Sequence, residues 1–267
     1  MDTKKPKMRV SEILPNITYR CRWVWYRNLI VWTKFYKSSI VANLGEPVLY
    51  LLALGYGFSP LISDVNGMSY MQFLAPGLIS YTAMNAATYE CTFSAYARMT
   101  AQKTYDAIIS TPVDIDEVVA GEVLFGTTKA FFASLAMMVV LSLFKLIPAF
   151  TALLVPFVVL VTGFVFASLA MLFTSFSQSW DFFSYYFTLL IAPLYFLSGI
   201  FFPLSTMPKW VTDAAWFNPL YHSVELSRGL VMGNLKLDMI ENTLWLLIFG
   251  ILVFMYAVVR IRKRIIV

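Results

Sequence analysis

Two carboxylates interrupt the apolar runs of this sequence. Glu46 lies about eight residues into the first run and is followed by Pro47, and Glu90 lies well inside the second run. An ionisable side chain at such depth is costly, and it marks a proton relay, an ion site or a contact with polar cargo. The alternatives for both residues are a protonated or hydrogen-bonded packing carboxyl and a position nearer the membrane interface.

The residue types do not indicate a catalytic, metal-binding or phosphate-binding site. His222 is the single histidine, and no His, Cys and Asp cluster has the spacing of a metal site. Gly121 and Gly126 have the spacing of a phosphate loop, but Thr127 and Thr128 replace its Lys-Ser/Thr pair. The sequence therefore predicts no catalytic residue, metal or cofactor on this chain, and any ATP would be bound by another chain.

Composition places these residues in a membrane. Hydrophobic residues make up 59% of the 267 residues, charged residues make up 13%, and the mean hydropathy is +0.71. A soluble chain has roughly 45–50% apolar and 25% charged residues. A soluble enzyme, a disordered chain and a free nucleic-acid-binding domain are therefore excluded.

Six apolar runs approach or exceed the roughly 20 residues that a spanning helix needs. Most of them exceed twenty residues, which excludes the alternating ten-residue segments of a barrel. We predict an all-α polytopic membrane protein, a single transmembrane domain over 1–267. Its six transmembrane helices lie at 38–62, 71–97, 119–144, 149–176, 181–202 and 240–260.

Basic residues predict the orientation of these spans. Fifteen Lys and Arg lie before the first span, in the loop after the second and in the tail, against four in the opposite loops. Because cytoplasmic segments carry this excess, both termini are predicted to be cytoplasmic. The positive charge then serves topology and anionic lipid headgroups, and nucleic acid is not expected as a partner.

Residues 1–37 form a basic cytoplasmic arm. At 100° per residue Trp25, Leu29, Trp32 and Tyr36 share one face of 19–37, with basic residues roughly opposite. This pattern favours an N-terminal amphipathic helix in the membrane interface. The alternative is a charged flank that only orients the first span.

The longest cytoplasmic loop follows the second span. Residues 98–109 can form a short helix, and Thr111 and Pro112 are predicted as the N-cap and first position of the next helix, with Asp114 in place of the usual capping Glu. A short helix with exposed charge at the membrane surface is typical of a docking feature. An ordinary helical hairpin is the alternative.

Residues 203–231 are cut by Pro203, Pro208 and Pro219 into pieces too short to span, yet they are rich in apolar residues such as Trp210 and Trp216. We predict re-entrant short helices before the last span, because broken backbone at membrane depth is tolerated where it is buried or lines a cavity. A folded external cap is the alternative.

Together these segments resemble the permease subunit of type-2 ATP-binding-cassette exporters. The stretch 193–203, followed by 218–220 and Arg228, is similar to that family's signature before the final helix, and the likeness covers essentially the whole chain. Residues 42–57, 73–77, 86–90 and 97–102 look like the permeases that export nodulation lipo-chitooligosaccharides.

The resemblance implies a homodimer with two ATPase subunits in a bacterial inner membrane, with ATP and Mg on the partner ATPase. The cargo would be an amphipathic glycan, a lipooligosaccharide or a related lipid-linked substrate, moved by alternating access. The loop 98–117 would be the coupling helix. Its contacts would come from Arg98, Gln102, Tyr105, Asp106, Thr111, Pro112, Asp114 and Asp116.

Two further groups of residues take roles under this resemblance. The translocation path or dimer seam would hold Glu46, Glu90, Tyr81, Tyr89, Tyr185 and Tyr195, although such tyrosines are more often core or belt residues. The re-entrant region would use Pro203, Trp210, Asn218, Pro219, His222 and Arg228. A proton-coupled secondary carrier and, less favoured, a polytopic membrane enzyme remain as alternatives.

Overall fold

The computed structural model describes residues 15–62, 64–65 and 67–266, so the first fourteen residues of the predicted arm lie outside the described part. All regular elements in that part are helical. The α-helices are α1 Cys21–Thr33, α2 Tyr36–Phe58, α3 Tyr70–Tyr89, α4 Ala95–Met99, α5 Thr104–Ile109, α6 Ile115–Leu143, α7 Val155–Phe176, α8 Phe182–Tyr186, α9 Ala192–Phe196, α10 Lys209–Ala215, α11 Pro219–Met232 and α12 Asp238–Ile266.

Within the described residues, four helical segments are long and apolar enough to cross a membrane: Tyr36–Phe58, Ile115–Leu143, Phe150–Phe176 and Asp238–Ile266. They coincide with the first, third, fourth and sixth predicted spans to within about six residues. The all-helical membrane class is thereby confirmed. The Phe150–Phe176 segment includes a 3-10 turn, Phe150–Leu154, ahead of α7.

The second and fifth predicted spans each contain a π-helical turn within the helix. Glu90–Ser94 joins α3 to α4, so that helix runs unbroken over 70–99. Phe187–Ile191 joins α8 to α9, and this helix ends at Phe196. The prediction that it continues to residue 202 is wrong, because the backbone leaves the helix at Leu197 and turns at Gly199, which has φ +77°.

Helix α7 lies at the centre of the bundle and packs against α3, α6, α11 and α12. Small residues allow this close approach, as is common between membrane helices. A Cβ atom added to Gly163 on α7 would lie 2.8 Å from the Cβ of Ala130 on α6. By contrast, α2 buries only Pro47, Leu51 and Gly55, so most of its apolar surface is left free.

Helix α1 is packed on α6. Its buried residues are Val24, Asn28 and Trp32, one turn apart. Trp25 Nε1 donates to Thr128 Oγ1 at 2.9 Å. Val24 and Asn28 are therefore shifted by one residue from the predicted face, whereas Trp32 lies on it, and the helix ends at Thr33 rather than continuing to 37.

The two ends of the bundle are held by different contacts. At the α5 end, Arg262 near the terminus of α12 pairs with Asp116 at the start of α6. At the α11 end, Thr151 Oγ1 donates to the Leu230 carbonyl, and Ala149 N donates to the Val231 carbonyl at 3.3 Å. The two ends therefore lie at opposite termini of α6, α7 and α12.

Candidate functional site

A buried network of four charged side chains joins α3, α4 and α6. Arg98 Nη2 lies 2.6 Å from Glu90 Oε1, and Arg98 Nε lies 2.9 Å from Glu122 Oε1. Lys129 Nζ lies 2.8 Å from the other oxygen of Glu90. Glu122 is 0% exposed, Glu90 4%, and both cations 13%. Two carboxylates and two cations thus neutralise one another inside the protein, as buried charges require.

Helix geometry explains how these residues meet. Glu122 and Lys129 are seven residues apart on α6, which is nearly two full turns of an α-helix. Glu90 and Arg98 are eight apart, a spacing that would place them about 80° apart around an α-helix. The π turn Glu90–Ser94 takes up one extra residue and returns Arg98 to the face of Glu90.

The structure places Glu90 and Arg98 together, although they had been assigned to different predicted groups. The resemblance places Glu90 in the translocation path or dimer seam and Arg98 in the coupling loop. Both residues lie in this network. The sequence carried no signal for the π turn that completes the network.

Helix α5 presents a short, exposed surface at the end of the bundle. Gln102, Asp106, Thr111, Pro112 and Asp114 are exposed around it. The helix begins after Lys103, whose left-handed backbone, φ +51°, forces the chain to turn away from α4. The exposed group therefore comes from the predicted docking loop, and a partner protein can reach it.

Tyr105 attaches α5 to the buried network. Its side chain is 0% exposed, and its hydroxyl has no hydrogen-bond partner among the described residues. Burial, together with the nearby charge of Glu122, raises the pKa of the Tyr105 hydroxyl well above its ordinary value. The hydroxyl therefore stays neutral beside the charges of Glu122 and Arg98.

The start of α6 differs from the prediction. Asp114 is the N-cap, with its carboxylate accepting from Ile115 N at 2.8 Å, and Glu117 Oε2 accepts from Asp114 N at 2.8 Å. Thr111 instead donates to the Ile108 carbonyl at the end of α5. The assignment of Thr111 and Pro112 as N-cap and first position is wrong, because the full Asp-x-x-Glu box begins three residues later.

Asp116 lies inside the protein and not on the docking surface. Its side chain is 1% exposed and accepts from Arg262 Nε at 2.8 Å. The same carboxylate accepts from Asn16 N at 2.7 Å, and Thr18 donates to Glu117. Asp116 therefore fastens the arm and the end of α12 to the start of α6.

A second candidate site lies where α2 meets α3 and α9. Glu46 accepts from the Tyr50 hydroxyl at 3.0 Å and from Asn85 Nδ2 at 3.3 Å. Asn85 also donates to the Tyr81 hydroxyl at 3.2 Å, and the Tyr81 ring stacks on Tyr195 with centroids 4.2 Å apart. Glu46 is exposed, at the edge of α2 that meets α3. We call these five residues the tyrosine-carboxylate cluster.

The cluster contains three predicted residues and two that were not predicted. Tyr50 and Asn85 were missed, although Glu46 and Tyr50, and Tyr81 and Asn85, are each four residues apart and so share a helix face. Two other predicted tyrosines lie outside the cluster. Tyr89 stacks on Phe187 at 4.8 Å, and Tyr185 is 65% exposed.

The region before the last helix is held by side-chain caps. Asn218 caps α11, with Pro219 at its first position, and donates to the Leu194 carbonyl at 2.6 Å. Both ring nitrogens of His222 are bonded, at 2.7 Å each, to Asn242 and to the Trp216 carbonyl. His222 therefore has a structural arrangement, with no nitrogen left to act as a base.

Arg228 holds the turn that ends the fifth apolar segment. Its Nη2 donates to the Gly199 carbonyl at 2.7 Å, and its Nη1 lies 2.6 Å from Glu225. The guanidinium also lies over the Phe73 ring, 4.2 Å from the centroid. Pro203 and Trp210 lie at the edge of this region, Pro203 half-buried before a 3-10 turn and Trp210 71% exposed.

These features define a class: a helical membrane protein with a protruding short helix anchored to buried charges. Residues 19–232 match the ABC-2 type transporter family, and the chain belongs to that family of transport permeases. It is 36% identical over 241 residues to Nodulation protein J of Rhizobium leguminosarum bv. trifolii, covering 90% of this chain and 92% of the relative.

Two further relatives cover most of both chains. Nodulation protein J of Sinorhizobium fredii is 34% identical over 256 residues, covering 96% of this chain and 98% of the relative. The inner membrane transport permease YadH of Escherichia coli is 23% identical over 230 residues, covering 86% and 87%. The sequence resemblance to this permease family is confirmed.

Proposed function

We propose that this chain is the permease subunit of an ATP-driven exporter in a bacterial inner membrane. Two copies would assemble with two ATPase chains, which bind ATP and Mg. The chain itself would hold no cofactor and catalyse no reaction. Family membership and the exposed helix α5 support this assembly.

In this proposal the chain crosses the membrane six times with both termini in the cytoplasm. The helical run over 70–99 and the segment Phe182–Phe196 would be the second and fifth crossings, beside the four longer helices. The α5 end would face the ATPase, and the basic arm would contact anionic lipids. The α11 end would face outward.

The exposed helix α5, which buries Tyr105 close to the charges of Glu122 and Arg98, carries the proposal. Alternating access requires ATP to bind the two conformations with different affinity. A movement of α5 would shift the buried Tyr105 near Arg98 and Glu122 and so disturb the ion pair that holds α4 to α6. The π turn supplies a deformable point in that path.

The cargo is proposed to be an amphipathic glycan, such as a lipooligosaccharide or an acylated chitooligosaccharide. The likeness to Nodulation protein J supports this class of cargo. The tyrosine-carboxylate cluster suits it, because tyrosine offers a flat face and a hydroxyl to a sugar ring.

An exposed carboxylate on a spanning helix would contact lipid if the chain worked alone, which is costly. The exposed Glu46 therefore supports a second copy, or cargo, beside this edge of α2. A proton-coupled carrier titrating through Glu46 and Glu90 is disfavoured, because Glu90 is paired with Arg98 and Lys129.

We expect Glu46→Gln to lower export by about tenfold, since a charge-assisted hydrogen bond contributes roughly 1.5–3 kcal/mol. The measurement is ATP-dependent uptake of an acylated chitooligosaccharide into inside-out vesicles. Asp213→Asn, an exposed carboxyl at the other end of the bundle, is the matched control. Normal export by Glu46→Gln, at equal abundance, would make Glu46 a packing residue.

A further inference from the structure

Two cavities lie side by side at the α11 end of the bundle. One has a volume of about 680 Å³ and is lined by both polar and aromatic side chains. The other has a volume of about 450 Å³ and is lined almost entirely by apolar ones. Both volumes lie in the range of roughly 300–1,000 Å³ that is typical of small-ligand sites.

The larger cavity has the chemistry of a saccharide site. Tyr221 and Trp216 contribute aromatic surface, and Glu225, Glu241 and Asn234 contribute planar hydrogen-bonding groups. Tyr221 is half-buried, and Asn234 and Glu241 are exposed, where they line this cavity. These groups are therefore accessible to a ligand rich in hydroxyls.

The smaller cavity has the chemistry of an acyl-chain site. It is formed by α7, α11 and α12, and its walls include Phe157, Val161, Leu226, Leu230 and Leu244. Thr243 is the single polar residue in this lining, and its hydroxyl is already bonded to the Met239 carbonyl at 2.7 Å. The cavity offers a hydrocarbon chain contact and no polar partner.

The two cavities share one side chain. Met239 lines both of them. A Cβ atom added to Gly229 would lie 3.3 Å from both the Sδ and the Cε atoms of Met239, so Gly229 leaves room for that side chain. A methionine is flexible enough to move aside, which makes the two cavities continuous for a ligand with a polar head and an apolar tail.

We propose that this pair of cavities binds an acylated saccharide, with the sugar in the larger cavity and the acyl chain in the smaller one. The inference rests on the proposed function, since such a molecule is the proposed cargo. The site would hold the cargo at the outer end after it leaves the tyrosine-carboxylate cluster.

The turn between the two sites supports this placement. Gly199 and Pro203 line the larger cavity, while Phe201 between them packs on Tyr50 and Tyr195, at ring distances of 6.0 and 4.8 Å. Arg228 fixes this turn through the Gly199 carbonyl. The turn is thus a shared wall between the cluster and the outer cavities.

The test uses the complete transporter in nanodiscs of phosphatidylethanolamine and phosphatidylglycerol. The probe is chitotetraose N-acylated with a diazirine-bearing hexadecanoyl chain, and the labelled residues are mapped by peptide mass spectrometry. We expect labelling within 226–230 and 239–244. Unlabelled N-hexadecanoyl chitotetraose should compete strongly and chitotetraose alone weakly.

Matched variants sharpen the result. Leu244→Trp fills the apolar cavity and should lower specific labelling by about tenfold, whereas Ile248→Trp, one turn further along α12 and outside the cavity, should not. Glu241→Ala should weaken competition by the sugar, and Asp213→Ala should not. Thermal unfolding of each variant checks that the fold is retained.

Equal labelling by phosphatidylethanolamine with the same diazirine chain would overturn the proposal, because the site would then be an ordinary lipid contact. Labelling confined to other segments would overturn it too. Export of the probe in proteoliposomes is measured in parallel. ATP-dependent export without labelling here refutes this site alone, and labelling without export refutes the proposed function.

Discussion

Arg98→Met is expected to destabilise the protein by roughly 3–5 kcal/mol, the cost of leaving a buried carboxylate without its partner. Glu122 is fully buried and takes its ion pair from Arg98. Glu90 keeps Lys129, so Glu122 bears most of the loss. The measurement is the free energy of unfolding in mixed micelles, together with the amount of chain in the membrane.

A second substitution separates charge from packing in this prediction. Glu122→Gln in the Arg98→Met background removes the unpaired charge and should recover a large part of the stability. Lys103→Met is the control, because its pair with Asp106 is exposed, with a separation of 3.9 Å. An Arg98→Met chain as stable as the unmodified one would show that the buried network does not hold α3 to α6.

Asp106→Lys is expected to abolish export while ATP hydrolysis continues. Asp106 is exposed on α5, and a reversed charge at a protein interface places like charges together at a cost of several kcal/mol. The measurement is the number of cargo molecules exported per ATP hydrolysed in proteoliposomes, which should fall at least about tenfold.

Among the three aspartates of the loop 98–117, Asp106 is the one whose substitution tests docking without disturbing the fold. Asp114 caps α6, and Asp116 is clamped by Arg262, so charge reversal at either residue would also damage the fold. Asp213→Lys on α10, exposed at the opposite end, is the matched control. A normal ratio of export to hydrolysis in Asp106→Lys would remove α5 as the coupling helix.

The helical class and most segment limits were predictable because long apolar runs leave few alternatives in a membrane. The end of α9 was not, since the apolar pattern continues past Phe196 while Gly199 turns the backbone. That turn depends on Arg228, about thirty residues further on, and a local pattern cannot show such a contact.

Single residues of the candidate sites were predictable from the sequence, but their contacts with one another were not. Glu46 and Glu90 were identified because charge is rare in apolar runs, but the sequence did not show that one is exposed and the other paired. The π turn and the contacts between helices determine that Glu90 is paired and Glu46 is exposed. The start of α6 was misplaced because two capping patterns overlap at Thr111 and Asp114.

We propose that this chain works as one half of a permease driven by a separate ATPase. The most direct test is gentle affinity purification of the tagged chain from its native membranes, with mass determination of the intact complex. We predict two copies with two ATP-binding-cassette subunits and ATP hydrolysis that vanadate inhibits. A chain that purifies without an ATPase, while other membrane complexes survive, and that transports on an ion gradient alone would contradict it.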